Sequence, residues 1–145
     1  MLNLYNLYNQ PMLLIDYQNY NIITELIDNG ICQDNINLNW KPIESAIMRR
    51  PGYAHAYAKY VLKDRFIKAE KYIIMDPYFA FEYALDIIKG RWGLAEPTLI
   101  KNPYFAFMYT KFILKCRWIE AEENIMGEPL CWTFYVHEFN ITEEN

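Results

Sequence analysis

Between residues 77 and 89 the apolar side chains fall at Phe79, Ala80, Tyr83, Ala84, Ile87 and Ile88. That i, i+1, i+4, i+5 spacing lines one stripe of an α-helix. The pairs Asp76-Pro77 and Asn102-Pro103 place a capping side chain directly before a proline, which predicts a helix start at each proline. Gly90 stands where a left-handed C-terminal cap is wanted, and Asp64 and Cys116 hold that place in the neighbouring segments. A second, shorter stripe at Phe66, Ala69, Glu70, Ile73 and Ile74 has i, i+3, i+4, i+7, i+8 spacing. It predicts a helix starting near Phe66, and its counterparts start near Trp92 and Trp118. Pro97 is tolerated only in a first turn, so the middle copy is expected to begin late, near Leu94 or Ala95.

These two stripes recur with a step of 26 residues. Trp40, Phe66, Trp92 and Trp118 keep the step, as do Pro51, Pro77, Pro103 and Pro129. So do Glu44, Glu70, Glu96 and Glu122, and Tyr57, Tyr83, Tyr109 and Tyr135. Lys63, Lys89 and Lys115 with Arg65, Arg91 and Arg117 complete the register. One such helix pair cannot bury its own apolar stripe, whereas stacked neighbours can. The predicted fold is therefore all-α, an α-solenoid of 26-residue helix-turn-helix repeats over residues 40 to 140. Residues 40 to 49 match only the second helix and Pro129 to about Asn140 only the first, as capping half-repeats would. Residues 1 to 39 form a non-repeat cap segment and 141 to 145 a tail. Within the cap, Ile22, Ile23, Leu26 and Ile27 suggest one helix, and Leu2 to Tyr17 an extended stretch or short hairpin.

Composition narrows the class without naming an activity. The 145 residues are 53% hydrophobic and 17% aromatic, enough for a packed single domain and far from a disordered composition. Cys32, Cys116 and Cys131 are too scattered for a disulfide framework or a zinc pattern, so a reducing compartment is expected. Neither a signal peptide nor an apolar run of about 20 residues able to span a bilayer is read, which places the chain in the cytoplasm by expectation. The net charge of −4 conceals three blocks. Residues 1 to 40 hold four acids and no base, residues 41 to 117 hold all 14 Lys and Arg against seven acids, and residues 118 to 145 hold seven acids and no base. Such blocks set local potentials that steer charged partners.

Candidate chemistry has to be weighed against ordinary scaffolding. A column of Glu70, Glu96 and Glu122 within an apolar stripe suggests catalysis or metal binding. Ligands, however, must come within about 2 Å of a shared ion, while neighbouring repeats sit roughly 10 Å apart. The plainer reading is a structural ladder in which each carboxylate pairs with Arg65, Arg91 or Arg117. Lys63, Lys89 and Lys115 either serve the ends of their helices or form a basic row for anions such as phosphates. His55 and His137 lack companions at catalytic spacing, and no glycine-rich phosphate loop exists. No cofactor, no metal and no enzymatic activity is expected.

Columns that drift between copies are the ones free to specialise. Tyr60, Phe81, Phe107, Met108 and Phe112 lie on the flank of the first helices, either as a second layer of core or as an exposed patch that binds a partner. The units Asp76-Pro-Tyr-Phe-Ala-Phe-Glu-Tyr and Asn102-Pro-Tyr-Phe-Ala-Phe-Met-Tyr resemble a short repeat of uncharacterised proteins from tailed phages and large DNA viruses. The resemblance spans roughly residues 40 to 140; it implies a viral protein acting in the host cell and brings no activity. The expected function is docking on a protein partner, a host factor whose inhibition, as of a defence component, is one expected role. The alternative is a nucleic-acid or phosphate-ligand binder using the basic block 41 to 117. No membrane association is expected.

Overall fold

The computed structural model describes residues 41 to 142, with side chains from residue 44 onward. The cap helix, the extended stretch from Leu2 to Tyr17 and Trp40 lie outside the described residues. The chain divides into two compact units, Met1–Tyr72 and Ile73–Asn145. All regular structure among the described residues is helical.

In the first unit, α1 (Lys41–Ile47) is followed by α2 (Pro51–Ala56), which runs into a wider π-helical turn at Tyr57–Leu62, and then by α3 (Ile67–Ile73). Tyr57 packs edge-on against Phe66 with ring centroids 5.0 Å apart. Ile47, Ala54, Tyr57, Ala58, Phe66 and Ala69 are buried.

The second unit repeats the pattern with α4 (Pro77–Tyr83) and its π-turn Ala84–Ile88, the short α5 (Glu96–Leu99), α6 (Pro103–Tyr109) and its π-turn Thr110–Leu114, α7 (Ile119–Met126) and α8 (Pro129–Phe139). Within this unit α6 lies against both α4 and α8, and α5 and α7 bridge successive members of that row. Tyr83, Tyr109 and Tyr135 are fully buried with Ala80, Ala84, Ala95, Ala106 and Ala121 beside them in the core. Alanine recurs there because a larger side chain would have to displace close-packed neighbours.

Helix starts follow the proline register at Pro51, Pro77, Pro103 and Pro129. The Asp76 carboxylate accepts from the N–H groups of Tyr78 and Phe79, and the Asn102 side chain accepts from that of Phe105. These caps satisfy donors that have no partner within the helix. Pro97 sits in the first turn of α5, whose start at Glu96 is later than that of α3 or α7 in their repeats.

The helix ends differ from the expectation. The left-handed residues are Lys63, Lys89 and Lys115, with φ of 53°, 56° and 55°, and not the following Asp64, Gly90 and Cys116. The cause is the π-turn, in which the Lys89 N–H reaches Ala84 O at 2.8 Å and the Lys115 N–H reaches Thr110 O at 2.7 Å, each five residues back. Terminal helix α8 lacks a π-turn and its left-handed cap, Asn140, comes one position earlier in the 26-residue register.

Candidate functional site

Two residues after each left-handed lysine stands the recurring arginine, and five residues beyond it the recurring glutamate. The pairing is forked in all three copies. Arg65 Nε and Nη2 each lie 2.8 Å from the Glu70 carboxylate oxygens; the Arg91–Glu96 distances are 2.7 and 3.1 Å, and the Arg117–Glu122 distances 2.8 and 3.0 Å. Two parallel charge-assisted bonds fix the guanidinium in the carboxylate plane, a geometry a lysine cannot reproduce.

A third participant was not assigned a role from the sequence. The tyrosine 13 residues after the glutamate donates to the same carboxylate from Tyr109 to Glu96 at 3.3 Å and from Tyr135 to Glu122 at 2.9 Å, and Tyr57 donates to Glu44 Oε1, in the copy that has no such arginine, at 2.9 Å. The hydroxyls of Tyr109 and Tyr135 also accept from the backbone N–H of Trp92 and Trp118, at 2.6 and 2.9 Å. The Trp118 N–H stands at the start of α7 and the Trp92 N–H four residues ahead of α5, so the tyrosine ties the entry of the second helix to the following first helix. Phenylalanine could fill the same space, and other aromatic columns do exchange Phe, Tyr and Trp. A column that is Tyr in all four copies is the signal that the hydroxyl itself is used.

Electrostatics agree with a closed network. Burial first, then the neighbouring carboxylate, pushes the Tyr135 hydroxyl up to about 12; burial likewise takes Tyr109 up to about 12. The Glu122 carboxyl is held below its ordinary value chiefly by Arg117, with help from Tyr135. A carboxylate that already accepts two guanidinium bonds and a phenol is charged and occupied, a poor general acid or base.

Lys63, Lys89 and Lys115 are exposed at the turns between helices. Their backbone geometry gives each a place in the fold, and among the described residues no ion pair engages their ammonium groups. Among the drifting residues the structure separates core from surface. Phe81 and Phe107 are only 4% and 7% exposed. Phe81 meets Phe105 at 6.2 Å, while Phe107 stacks on Phe134 at 6.5 Å and meets Tyr135 edge-on at 6.4 Å. Within the second unit the next first helix covers that flank, which removes these two rings from any partner-binding surface. Phe112 remains 44% exposed, and Tyr60 and Met108 are half-buried. Lys111 Nζ lies 5.9 and 5.7 Å from the ring centres of Phe107 and Phe112 and forms an ion pair with Glu138 at 2.8 Å. Among the described residues no helix is long and apolar enough to cross a membrane. No protein-family model, no curated protein and no solved structure matches this chain.

Proposed function

We propose that this chain is a non-catalytic helical-repeat protein, an α-solenoid, that binds a protein partner through the drifting flank of its first helices. The observation that carries the reading is a division of labour among side chains. The recurring Arg, Glu and Tyr close on one another, whereas Phe112 in the π-turn stands exposed one turn beyond the half-buried Met108 of α6. Exposed aromatic and sulfur-bearing side chains on a rigid helix are common anchors of protein contacts. The 26-residue register of helix starts and the contact of α6 with both α4 and α8 support the solenoid part of the reading. Resemblance to viral repeat proteins makes a host protein the partner to test first.

The test is affinity capture from host lysate with the full chain and its Met108→Ser/Phe112→Ser variant, each checked by circular dichroism. Loss of the captured protein with helicity retained supports the reading, and undiminished capture refutes it. Phe107→Ala serves as the core control, since emptying a buried phenylalanine site costs about 3 to 5 kcal/mol and melts the fold before it touches a surface. The second reading, an anion-bearing partner, rests on the exposed lysines of the three turns. Binding to duplex DNA that weakens steeply with salt and vanishes on Lys63, Lys89 and Lys115→Gln would favour it instead.

A further inference from the structure

Tyr78 and Tyr104 hold the same position of the 26-residue register, the second residue of α4 and of α6. Neither belongs to the buried core or to the Arg–Glu–Tyr network. They are 47% and 51% exposed, and among the described residues their hydroxyls make no hydrogen bond. Their rings are nonetheless held in place. Phe79, Tyr78, Phe105 and Tyr104 follow one another with ring centres 4.9, 6.0 and 5.1 Å apart and planes turned by 79°, 70° and 81°. Phe79 and Phe105 are half-buried and tie the exposed tyrosines to the fold. Four aromatic rings thus form a ridge that crosses from α4 to α6 inside the second unit. Edge-to-face contacts fix such rings while leaving part of each face open.

Charge and spacing select what the ridge takes. Residues 75 to 79 hold one acid, Asp76, and residues 101 to 105 one base, Lys101, so the two segments that carry the rings have no net charge. The repeated Lys89 and Lys115 stand past the other ends of the same helices, eleven residues on, or about 16 Å along the axis. A phosphate backbone therefore finds no basic row beside these rings. Packed helices such as α4 and α6 lie about 8 to 10 Å apart. Side chains on one face of a β-strand recur at about 6.7 Å, out of step with that distance. An α-helix recurs at about 10.5 Å after two turns, but its carbonyls are bonded internally. A polyproline II segment recurs every third residue, at about 9.3 Å, and leaves its carbonyls free to accept from a tyrosine hydroxyl.

We infer that the ridge of Tyr78, Phe79, Tyr104 and Phe105 is a seat for a proline-rich segment of a protein partner in polyproline II form. Its prolines pack on the rings and its carbonyls accept from the Tyr78 and Tyr104 hydroxyls, the chemistry by which aromatic-lined surfaces take such segments. The segment's conformation is set before binding, so little ordering entropy is lost. This inference rests on the protein-binding reading for the class of partner, yet it uses neither Met108 nor Phe112, so either surface can fail alone.

The probe is a fluorescein-labelled peptide of repeated Pro-Pro-Leu units, titrated by anisotropy against the full chain, with a control peptide in which alanine replaces every proline. The proline peptide should bind and the alanine control should not. Tyr78→Ala/Tyr104→Ala should weaken binding at least about ten-fold with the melting curve unchanged. Tyr78→Phe/Tyr104→Phe, which keeps the rings and removes only the hydroxyls, should weaken it several-fold. Undiminished binding by either folded pair variant would overturn the seat, as would equal affinity for the two peptides or no binding of the proline peptide. Should the alanine pair unfold, the phenylalanine pair decides alone. Oligothymidine that binds more tightly and displaces the peptide would make single-stranded nucleic acid the occupant, and the inference is likewise overturned. Met108→Ser/Phe112→Ser keeps the two surfaces apart, since it should bind the peptide as the unaltered chain does. If it abolishes peptide binding while the tyrosine pairs do not, the protein-binding reading survives and the ridge does not.

Discussion

Replacing Tyr135 by phenylalanine removes one oxygen from the middle of the network and leaves the ring in place. That ring is fully buried, stacked on Trp132 at 5.6 Å and tilted against Phe139 at 4.8 Å, so packing is retained and the hydroxyl is isolated as the variable. The Trp118 N–H then loses its acceptor at 2.9 Å, and an unsatisfied buried donor costs about 1 to 3 kcal/mol. The Glu122 carboxylate loses a donor at 2.9 Å, a bond to a charged group that contributes about 1.5 to 3 kcal/mol. Part of the second loss is recovered, because Glu122 keeps both Arg117 bonds and its side chain is 13% exposed to water. The expected destabilisation is about 2 to 4 kcal/mol, or roughly 4 to 16 °C in melting temperature for a chain of this size. Urea denaturation followed by circular dichroism measures it, with an unchanged slope confirming that the unfolding transition is the same. The variant also has a pH signature. Because burial raises the Tyr135 pKa to about 12 from about 10 in the unfolded chain, its contribution is complete below pH 10 and is lost as the pH rises through 12. Wild-type stability should fall more steeply across that window than that of Tyr135→Phe. A destabilisation below about 0.5 kcal/mol with parallel alkaline limbs would refute the assignment of the hydroxyl to the core network.

The left-handed lysines offer an opposite sign: Lys89→Gly relieves about 1 to 2 kcal/mol of backbone strain at φ 56° and adds about 0.4 to 1 kcal/mol of unfolded-chain entropy. A net gain of about 0.5 to 1 kcal/mol is expected in thermal melts, and a loss would show that the Lys89 side chain makes contacts of its own. Glu96→Gln should cost only about 1 to 2 kcal/mol, because the Arg91 side chain is 64% exposed and the amide can still accept from Arg91 and Tyr109. Differential scanning calorimetry checks the value, and unchanged melting together with lost partner binding would transfer Glu96 from the scaffold to the site.

The Arg–Glu–Tyr network also explains why these charged and phenolic groups recur: they bond to one another within the fold. Each carboxylate is used up by donors from its own repeat and the next first helix, in Glu96 and Glu122 alike. On the proposed reading, a partner is bound by positions the network does not use, such as Phe112 and Met108.

Much of this was legible along the chain, because local rules govern it. Proline with a preceding Asp or Asn sets the start of a helix whatever packs on it, which is why α4 and α6 begin at Pro77 and Pro103. An arginine and a glutamate five residues apart around a turn are close enough to meet without help from the rest of the fold, so the ladder of Arg65, Arg91 and Arg117 could be read from spacing. Three features were not legible. The bonds from Tyr109 to Glu96 and Trp92 cross 13 and 17 residues, and only helix packing within the repeat row closes that distance. Whether Phe107 or Phe112 faces water depends on which flank the next helix covers; residues five apart on one helix differ in composition by nothing that marks the buried one. The shift of the left-handed cap from Gly90 to Lys89 follows from the π-turn, a one-residue widening with no residue signature of its own. Sequence determines what local sterics and short-range charge can decide, and tertiary structure decides what depends on the position of a neighbouring helix.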